Sequence, residues 1–96
     1  MADCIKVIER YPKFANAYYL RGYSRSKLTS YEQAIDDFNQ AIALDPKLAV
    51  AYYDRAYAFK FFKRDDQYLY GTDMKTAARL GDTQARKLLQ FAGISW

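Results

Sequence analysis

Apolar residues recur at intervals of three and four positions along most of the chain. This spacing places them on one face of an α-helix, whereas a half-buried strand would alternate apolar and polar residues. The pattern therefore predicts six helical segments and no strand. Their approximate ranges are 2–11, 14–28, 31–45, 48–63, 66–80 and 82–92.

Residues that start or stop helices lie between these segments. Pro12 and Pro46 close the first and third helices, because proline has no amide hydrogen and restrains the residue before it. Gly81 is expected to end the fifth helix in the left-handed conformation. Ser30 and Gln33 predict a capping box, in which each side chain hydrogen-bonds the backbone amide of the other residue.

The residue pattern also repeats after 34 positions. Residues 11–19 and 45–53 share a proline, a lysine, two alanines and a pair of tyrosines at the same offsets, and Arg21 recurs as Arg55. A fixed period of this length is typical of stacked helix pairs, in which each unit buries its apolar face against its neighbours. Such arrays usually bind other molecules and seldom carry out chemistry.

Residues 15–48 resemble a tetratricopeptide repeat, whose signature contains an aromatic residue, a glycine, an Ala-x-x-x-Phe pair and a terminal proline. Arg21 and Arg25 depart from the leucine and tyrosine of that family. The small residues allow two helices to approach closely, and the phenylalanine fills the space between them. The matching positions are Tyr18, Gly22, Ala34, Phe38 and Pro46.

The resemblance implies an all-α fold, in which antiparallel helix pairs stack as a short right-handed superhelix, an α-solenoid. We expect one domain over residues 1–96. The last helix resembles the closing helix of many bacterial arrays, and residues 2–11 match the second helix of a repeat whose first helix is absent. The chain is therefore interpreted as the C-terminal part of a longer array, and the alternative is that an orphan helix caps the stack. The expected divisions are an orphan second helix at 2–11, a complete repeat at 15–48, a degenerate repeat at 49–82 with an insertion near 63–66, and a capping helix at 82–92.

In arrays of this family the first helices of successive repeats line a concave groove, so the resemblance implies a surface that binds a peptide or helix of a partner protein. Tyr19, Tyr23 and Lys27 lie four residues apart on one helix face, and their counterparts occupy the same face one repeat later. Such tyrosine rows are typical of binding hot spots. The alternative is that the rings only pack against one another. The predicted groove residues are Asn16, Tyr19, Tyr23, Lys27, Val50, Tyr53, Tyr57, Lys60 and Phe61.

The carboxylate clamp of this family requires lysine, asparagine and arginine at set groove positions. This chain has Tyr19, Leu20, Tyr23, Val50 and Asp54 there. None supplies the required charge or amide, so the clamp is not expected. Asp54 with Lys27 and Lys60 instead suggests a mixed-charge aromatic site for an extended segment or a helix.

The composition argues against catalysis. The chain contains no histidine, which excludes histidine-based triads and most zinc sites. Its four glycines are too scattered for a phosphate-binding loop. Adjacent carboxylates such as Asp36 and Asp37 point about 100° apart on a helix and cannot share one substrate. We therefore predict a non-catalytic module without a metal or cofactor.

The charge pattern favours a protein partner over a nucleic acid. The net charge is +4, and no run of like charges exceeds two residues, whereas nucleic-acid binders usually carry a concentrated basic surface. Binding of RNA by helical repeats is the alternative function, because tyrosine and lysine can stack on bases and contact phosphates. No apolar stretch approaches the length of a membrane span or a signal-peptide core, which predicts a cytoplasmic protein.

The remaining expectations concern arginines and the two chain ends. Arg21 and Arg55 are expected to pack their aliphatic stems at helix interfaces and to pair with carboxylates such as Asp36, Asp37 or Asp54. The unmatched helix at 2–11 is expected to self-associate or to fray, because arrays normally cover that face. The sequence leaves open whether Trp96 folds back or stays exposed.

Overall fold

The computed structural model of the chain describes residues 14–62 and 67–96, which contain α-helices and no strand. Each helix packs on the next one along the chain, and α1 also contacts α3. Short connections make neighbouring helices antiparallel. The helix-pair architecture expected from the sequence is confirmed. The helices are α1 (Ala15–Lys27), α2 (Tyr31–Leu44), α3 (Ala49–Phe62), α4 (Gln67–Arg79) and α5 (Thr83–Phe91).

Two sequence predictions lie outside the described residues. The first is the helix at 2–11, together with its expected self-association or fraying. The second is the insertion near 63–66 in the degenerate repeat. Both stay predictions.

The ends of α1, α4 and α5 follow the chemistry of their bounding residues. Gly81 has a φ of 104°, as expected for the residue that ends a helix in the left-handed conformation. Asp82 then begins α5, where its Oδ1 accepts a hydrogen bond of 2.8 Å from the amide of Ala85. This contact satisfies one of the amides that the first turn of a helix leaves unpaired.

The predicted capping box at the start of α2 is wrong. Ser30 is the residue before the helix, but its side chain makes no capping hydrogen bond. Its own amide, which Gln33 would have to reach, donates instead to the carbonyl of Arg25 at 2.8 Å. That bond closes the end of α1 through Thr29, which has a φ of 62°. The amide is therefore already used by the preceding helix.

Helices α1 and α2 approach each other closely at Gly22, as expected from the small residues of the pattern. A Cβ atom at this position would lie 2.8 Å from Cε1 of Phe38 and 3.0 Å from Cβ of Asp37. Phe38 and Ala34 are completely buried. The glycine therefore provides the space in which the phenylalanine ring packs.

The core consists of two clusters along the stack. The first is centred on Phe38, with Ala34, Ile35 and Ala58 around it, and lies between α2 and α3. The second joins α3, α4 and α5. Its members are Ala56, Met74, Ala77, Ala78, Ala85 and Leu89. Since each cluster involves only neighbouring helices, the packing is that of a stacked array.

Two arginines at equivalent repeat positions bind buried carboxylates. Nη2 of Arg21 lies 2.7 Å from Oδ1 of Asp37, and Nη2 of Arg55 lies 2.8 Å from Oδ1 of Asp73. The expected pairing with carboxylates is confirmed. Asp73, which binds Arg55, was not among the partners expected from the sequence. These pairs attach the first helix of each pair to the second.

Candidate functional site

An open cavity of about 510 Å³ lies between α1, the start of α2 and α3. Its size falls within the range of ligand-binding clefts. Half of its lining residues are aromatic. The groove residues predicted from the sequence that line it are Tyr23, Lys27, Tyr53, Tyr57 and Phe61. The other lining residues are Ser26, Thr29, Tyr31, Asp54 and Ala58.

Four of the predicted groove residues lie outside the lining of the cavity. Tyr19 is not a lining residue, and the centroid of its ring lies 5.9 Å from that of Phe38. Asn16 is exposed and Val50 is partly buried, both near the start of their helices. Lys60 is exposed, and its Nζ lies 6.0 Å from the ring centroid of Tyr57. The structure thus brings together the later turns of α1 and α3, and leaves their first turns outside the cavity.

The aromatic wall runs along α3 and continues onto α2. The ring centroids of Tyr53 and Tyr57 are 5.1 Å apart, and those of Tyr57 and Phe61 are 6.2 Å apart. The ring of Tyr31, at the start of α2, stacks on Phe61 at 5.6 Å. Sequence reasoning missed Tyr31, because spacing within one helix carries no information about a ring from another helix.

These rings contact one another, as the alternative interpretation expected, and also keep solvent-exposed surface. Tyr23 is 42% exposed and Phe61 is 52% exposed. Nζ of Lys27 lies 5.2 Å from the ring centroid of Tyr23. The geometry therefore leaves aromatic surface available to a ligand at the mouth of the cavity.

A single carboxylate lines this largely aromatic cavity. Tyr19 donates a hydrogen bond of 2.5 Å to Oδ2 of Asp54. Burial raises the pKa of the Asp54 carboxyl, and the nearby Asp82 adds to this, while the Tyr19 hydroxyl and Lys27 lower it. Burial and the bond to Asp54 also raise the pKa of the Tyr19 hydroxyl. A neutral tyrosine therefore supports a partly desolvated carboxylate, whose charged form is disfavoured on balance.

We expect Asp54→Asn to stabilise the protein relative to the wild type as the pH rises. Folding raises the pKa of this carboxyl, so its favourable contribution is complete below the unfolded-state pKa of about 3.9 and is lost as the pH rises through the folded-state value. Asparagine keeps an acceptor for Tyr19 and carries no charge. The groups that face Asp54 are Tyr19 and Lys27 on α1 and Asp82 before α5.

Urea denaturation over a series of pH values from acidic to neutral measures this effect as the difference in the free energy of unfolding between variant and wild type. Asp36→Asn removes an exposed carboxylate from α2 and serves as the matched control, with a difference that changes little with pH. A difference for Asp54→Asn that is flat, or that turns against the variant at higher pH, would contradict the expectation.

The fold and cavity define a class of protein, the α-helical repeat proteins built from stacked antiparallel helix pairs. Within the chain, residues 15–48 match the family model of the tetratricopeptide repeat. These residues, which form α1, α2 and the connection to α3, are a tetratricopeptide repeat. Repeats of this family generally mediate interactions between proteins and are typically non-catalytic.

A curated protein is similar to part of the chain. A Mus musculus protein described as FK506-binding protein-like is 43% identical over 45 residues. The match covers 47% of this chain and 13% of the mouse protein. The chain therefore corresponds to a small part of that relative.

None of the helices in residues 14–62 and 67–96 is long and apolar enough to cross a membrane. In the same two ranges, no cluster of three or more cysteine, aspartate or glutamate side chains is arranged to hold a metal ion.

Proposed function

We propose that this chain is a non-catalytic protein-interaction module, which binds an extended peptide or a helix of a partner protein in its aromatic groove. The observation that carries the proposal is the cavity between α1 and α3, the first helices of two successive helix pairs. Its wall combines large aromatic surfaces with a few polar groups, which is the composition of binding hot spots.

The proposal includes a second, degenerate repeat at residues 49–82. Three observations support it. Helices α3 and α4 pack as a pair, as α1 and α2 do. Arg55 binds Asp73 from the position that is equivalent to that of Arg21. The cavity needs α3 for most of its aromatic wall, so a single repeat would supply only part of the groove.

A protein partner is favoured over the alternative of RNA. Asp54 is partly buried in the wall of the cavity, and a carboxylate in this position repels phosphate groups. The cation nearest to the groove rim on α1 is Lys27, which lies against the ring of Tyr23. Binding of RNA would also depend strongly on salt, which provides a simple way to distinguish the two.

The test is a double variant, Tyr23→Ala/Phe61→Ala, which removes two partly exposed rings from the cavity. Peptides are first selected with the wild-type protein from a random library displayed on phage, and their affinities are then measured by fluorescence polarisation. We expect the double variant to lose at least about thirtyfold in affinity, because loss of hot-spot aromatics costs about 2 kcal/mol or more.

Phe91→Ala is the matched control, because Phe91 is a 94% exposed aromatic residue on α5 that does not line the cavity. It should bind the selected peptides with wild-type affinity. If the groove variant retains wild-type affinity for every selected peptide, the groove assignment is wrong. Salt-sensitive binding of polyuridylate that the groove variant loses would favour the RNA alternative.

A further inference from the structure

Asp54 is partly buried, and it differs in its partners from Asp37 and Asp73, the two buried carboxylates of the described residues. Asp37 binds Arg21 at 2.7 Å and Arg25 at 2.9 Å, and Asp73 binds Arg55 at 2.8 Å. Asp54 accepts a hydrogen bond from the neutral Tyr19, and Lys27 lowers the pKa of its carboxyl without forming an ion pair with it. Desolvating a carboxylate is unfavourable unless a cation pairs with it.

The two paired carboxylates show how this protein arranges a cation. Cζ of Arg21 lies 5.7 Å from the ring centroid of Tyr18 while the guanidinium binds Asp37. Arg55 repeats the arrangement. Its Cζ lies 5.5 Å from the centroid of Tyr52 while the guanidinium binds Asp73. In both places an arginine joins a buried aspartate to an aromatic ring.

Asp54 also lies near aromatic rings, as Asp37 and Asp73 do, but no arginine of the described residues pairs with it. Tyr23, Tyr53 and Phe61 line the cavity together with this carboxylate. Ser26 is also a lining residue, and its Oγ is buried without a hydrogen-bond partner. A guanidinium carries five N–H donors and can pair with the Asp54 carboxylate.

We propose that the cavity takes the guanidinium group of an arginine from the bound segment of a partner protein, which pairs with Asp54 and lies against the aromatic wall. This inference rests on the proposed peptide-binding function and specifies its ligand. Because the chain has a net charge of +4, a strongly basic segment would be repelled. The segment that fits best has one arginine flanked by neutral, apolar residues.

Arginine suits this site better than lysine. A guanidinium is planar, stacks on aromatic rings and is more weakly hydrated than an ammonium group, so it loses less when it leaves water. The ammonium of Lys27 is already on the rim, against Tyr23. Lys27 is exposed and forms no ion pair with Asp54. A carboxylate of the partner that binds Lys27 is the alternative occupant of the cavity, and a glutamate probe tests it in the experiment.

The test titrates the whole chain with four small probes at low salt, while NMR follows the aromatic side-chain resonances. The probes are the Nα-acetyl amides of arginine, citrulline, lysine and glutamate. Citrulline has nearly the shape of arginine without its charge. We expect arginine to bind and to shift the resonances of Tyr23, Tyr53 and Phe61, lysine to bind more weakly, and citrulline and glutamate to have no effect.

Asp54→Asn should weaken the binding of the arginine probe at least about tenfold, which corresponds to about 1.4 kcal/mol. Asp36→Asn makes the same change on an exposed surface of α2 and should leave the binding unchanged. The proposal is overturned if the arginine probe does not bind, if citrulline binds as well, if glutamate is preferred, or if Asp54→Asn binds like the wild type.

The peptides selected from the library separate this inference from the function on which it rests. Replacing their arginine with citrulline should cost about tenfold in affinity. A peptide that needs Tyr23 and Phe61 but tolerates citrulline leaves the peptide-binding function standing and overturns the arginine site. If the peptides bind the groove variant as tightly as the wild type, the peptide-binding function is overturned, even where binding of the arginine probe still depends on Asp54.

Discussion

Replacing Gly22 with valine is expected to destabilise the fold by about 3 kcal/mol or more, because the new side chain would overpack the interface between α1 and α2. Its Cβ would lie 2.8 Å and 2.9 Å from two atoms of the Phe38 ring and 3.0 Å from Cβ of Asp37. The ring is completely buried, so it has no free space into which it can move. Urea denaturation followed by circular dichroism measures the loss.

Gly71 offers a matched control within the same protein. It also lies inside a helix, α4, but a Cβ there would have no atom of the described residues within 4 Å. Gly71→Val should change stability little, since valine is a somewhat better helix former than glycine. Adding Phe38→Leu to Gly22→Val should recover part of the loss. Equal effects of the two valine substitutions would contradict the role of Gly22 as a spacer.

Asp37→Ala is expected to cost about 2–3 kcal/mol, somewhat below the usual cost of breaking a buried ion pair. Asp37 is only 3% exposed and binds both Arg21 and Arg25 on α1. Without it, two guanidinium groups lose their partner at the helix interface. The expected cost is reduced because these arginines are 21% and 24% exposed and can regain water.

Asp36→Ala separates this effect from helix propensity. The two aspartates are neighbours on α2, so the same substitution changes the intrinsic propensity equally, but Asp36 is exposed. It should alter the free energy of unfolding little. Thermal and urea unfolding measure the stability of both variants. The role of Asp37 as the partner of the two arginines is refuted if Asp36→Ala and Asp37→Ala lose the same stability. It is also refuted if adding Arg21→Ala to Asp37→Ala restores the stability completely.

The contacts that hold the helix pairs also position the proposed site. Arg21 and Arg25 attach α1 to α2 from one side, while Tyr19 on the same helix reaches Asp54 on α3. The cavity lies on the face where α1 meets α3. A change in the packing of α1 on α2 would therefore move Tyr23 and Lys27 relative to the aromatic wall. We expect stability variants at Gly22 and Asp37 to reduce peptide binding indirectly.

Much of the fold could be predicted from the sequence, because helix periodicity and repeat period are local or regular properties. The spacing of apolar residues located the helices that the structure describes, and the offset of 34 positions indicated how they pair. The offset also placed Arg21 and Arg55 in equivalent positions, where both bind carboxylates. The capping box failed because its prediction considered α2 alone, whereas the end of α1 uses the same amide.

The candidate site could be predicted only in part. Residues four apart on one helix share a face, so the sequence could group Tyr53, Tyr57 and Phe61, and the structure places all three in one wall. Their role in binding stays a prediction. Spacing within a helix could not reveal that Tyr31 extends this wall, nor that Tyr19 is not a lining residue and binds Asp54 instead.

The sequence by itself determined the helices, their pairing and the face that carries the aromatic row, because these follow from residue spacing along single segments. Only the tertiary structure decided that Tyr19 binds Asp54, that this carboxylate forms no ion pair within the described residues, and that Asp73 pairs with Arg55. Each of these depends on distances between helices that are far apart in the chain, and such distances are set by how the side chains pack together.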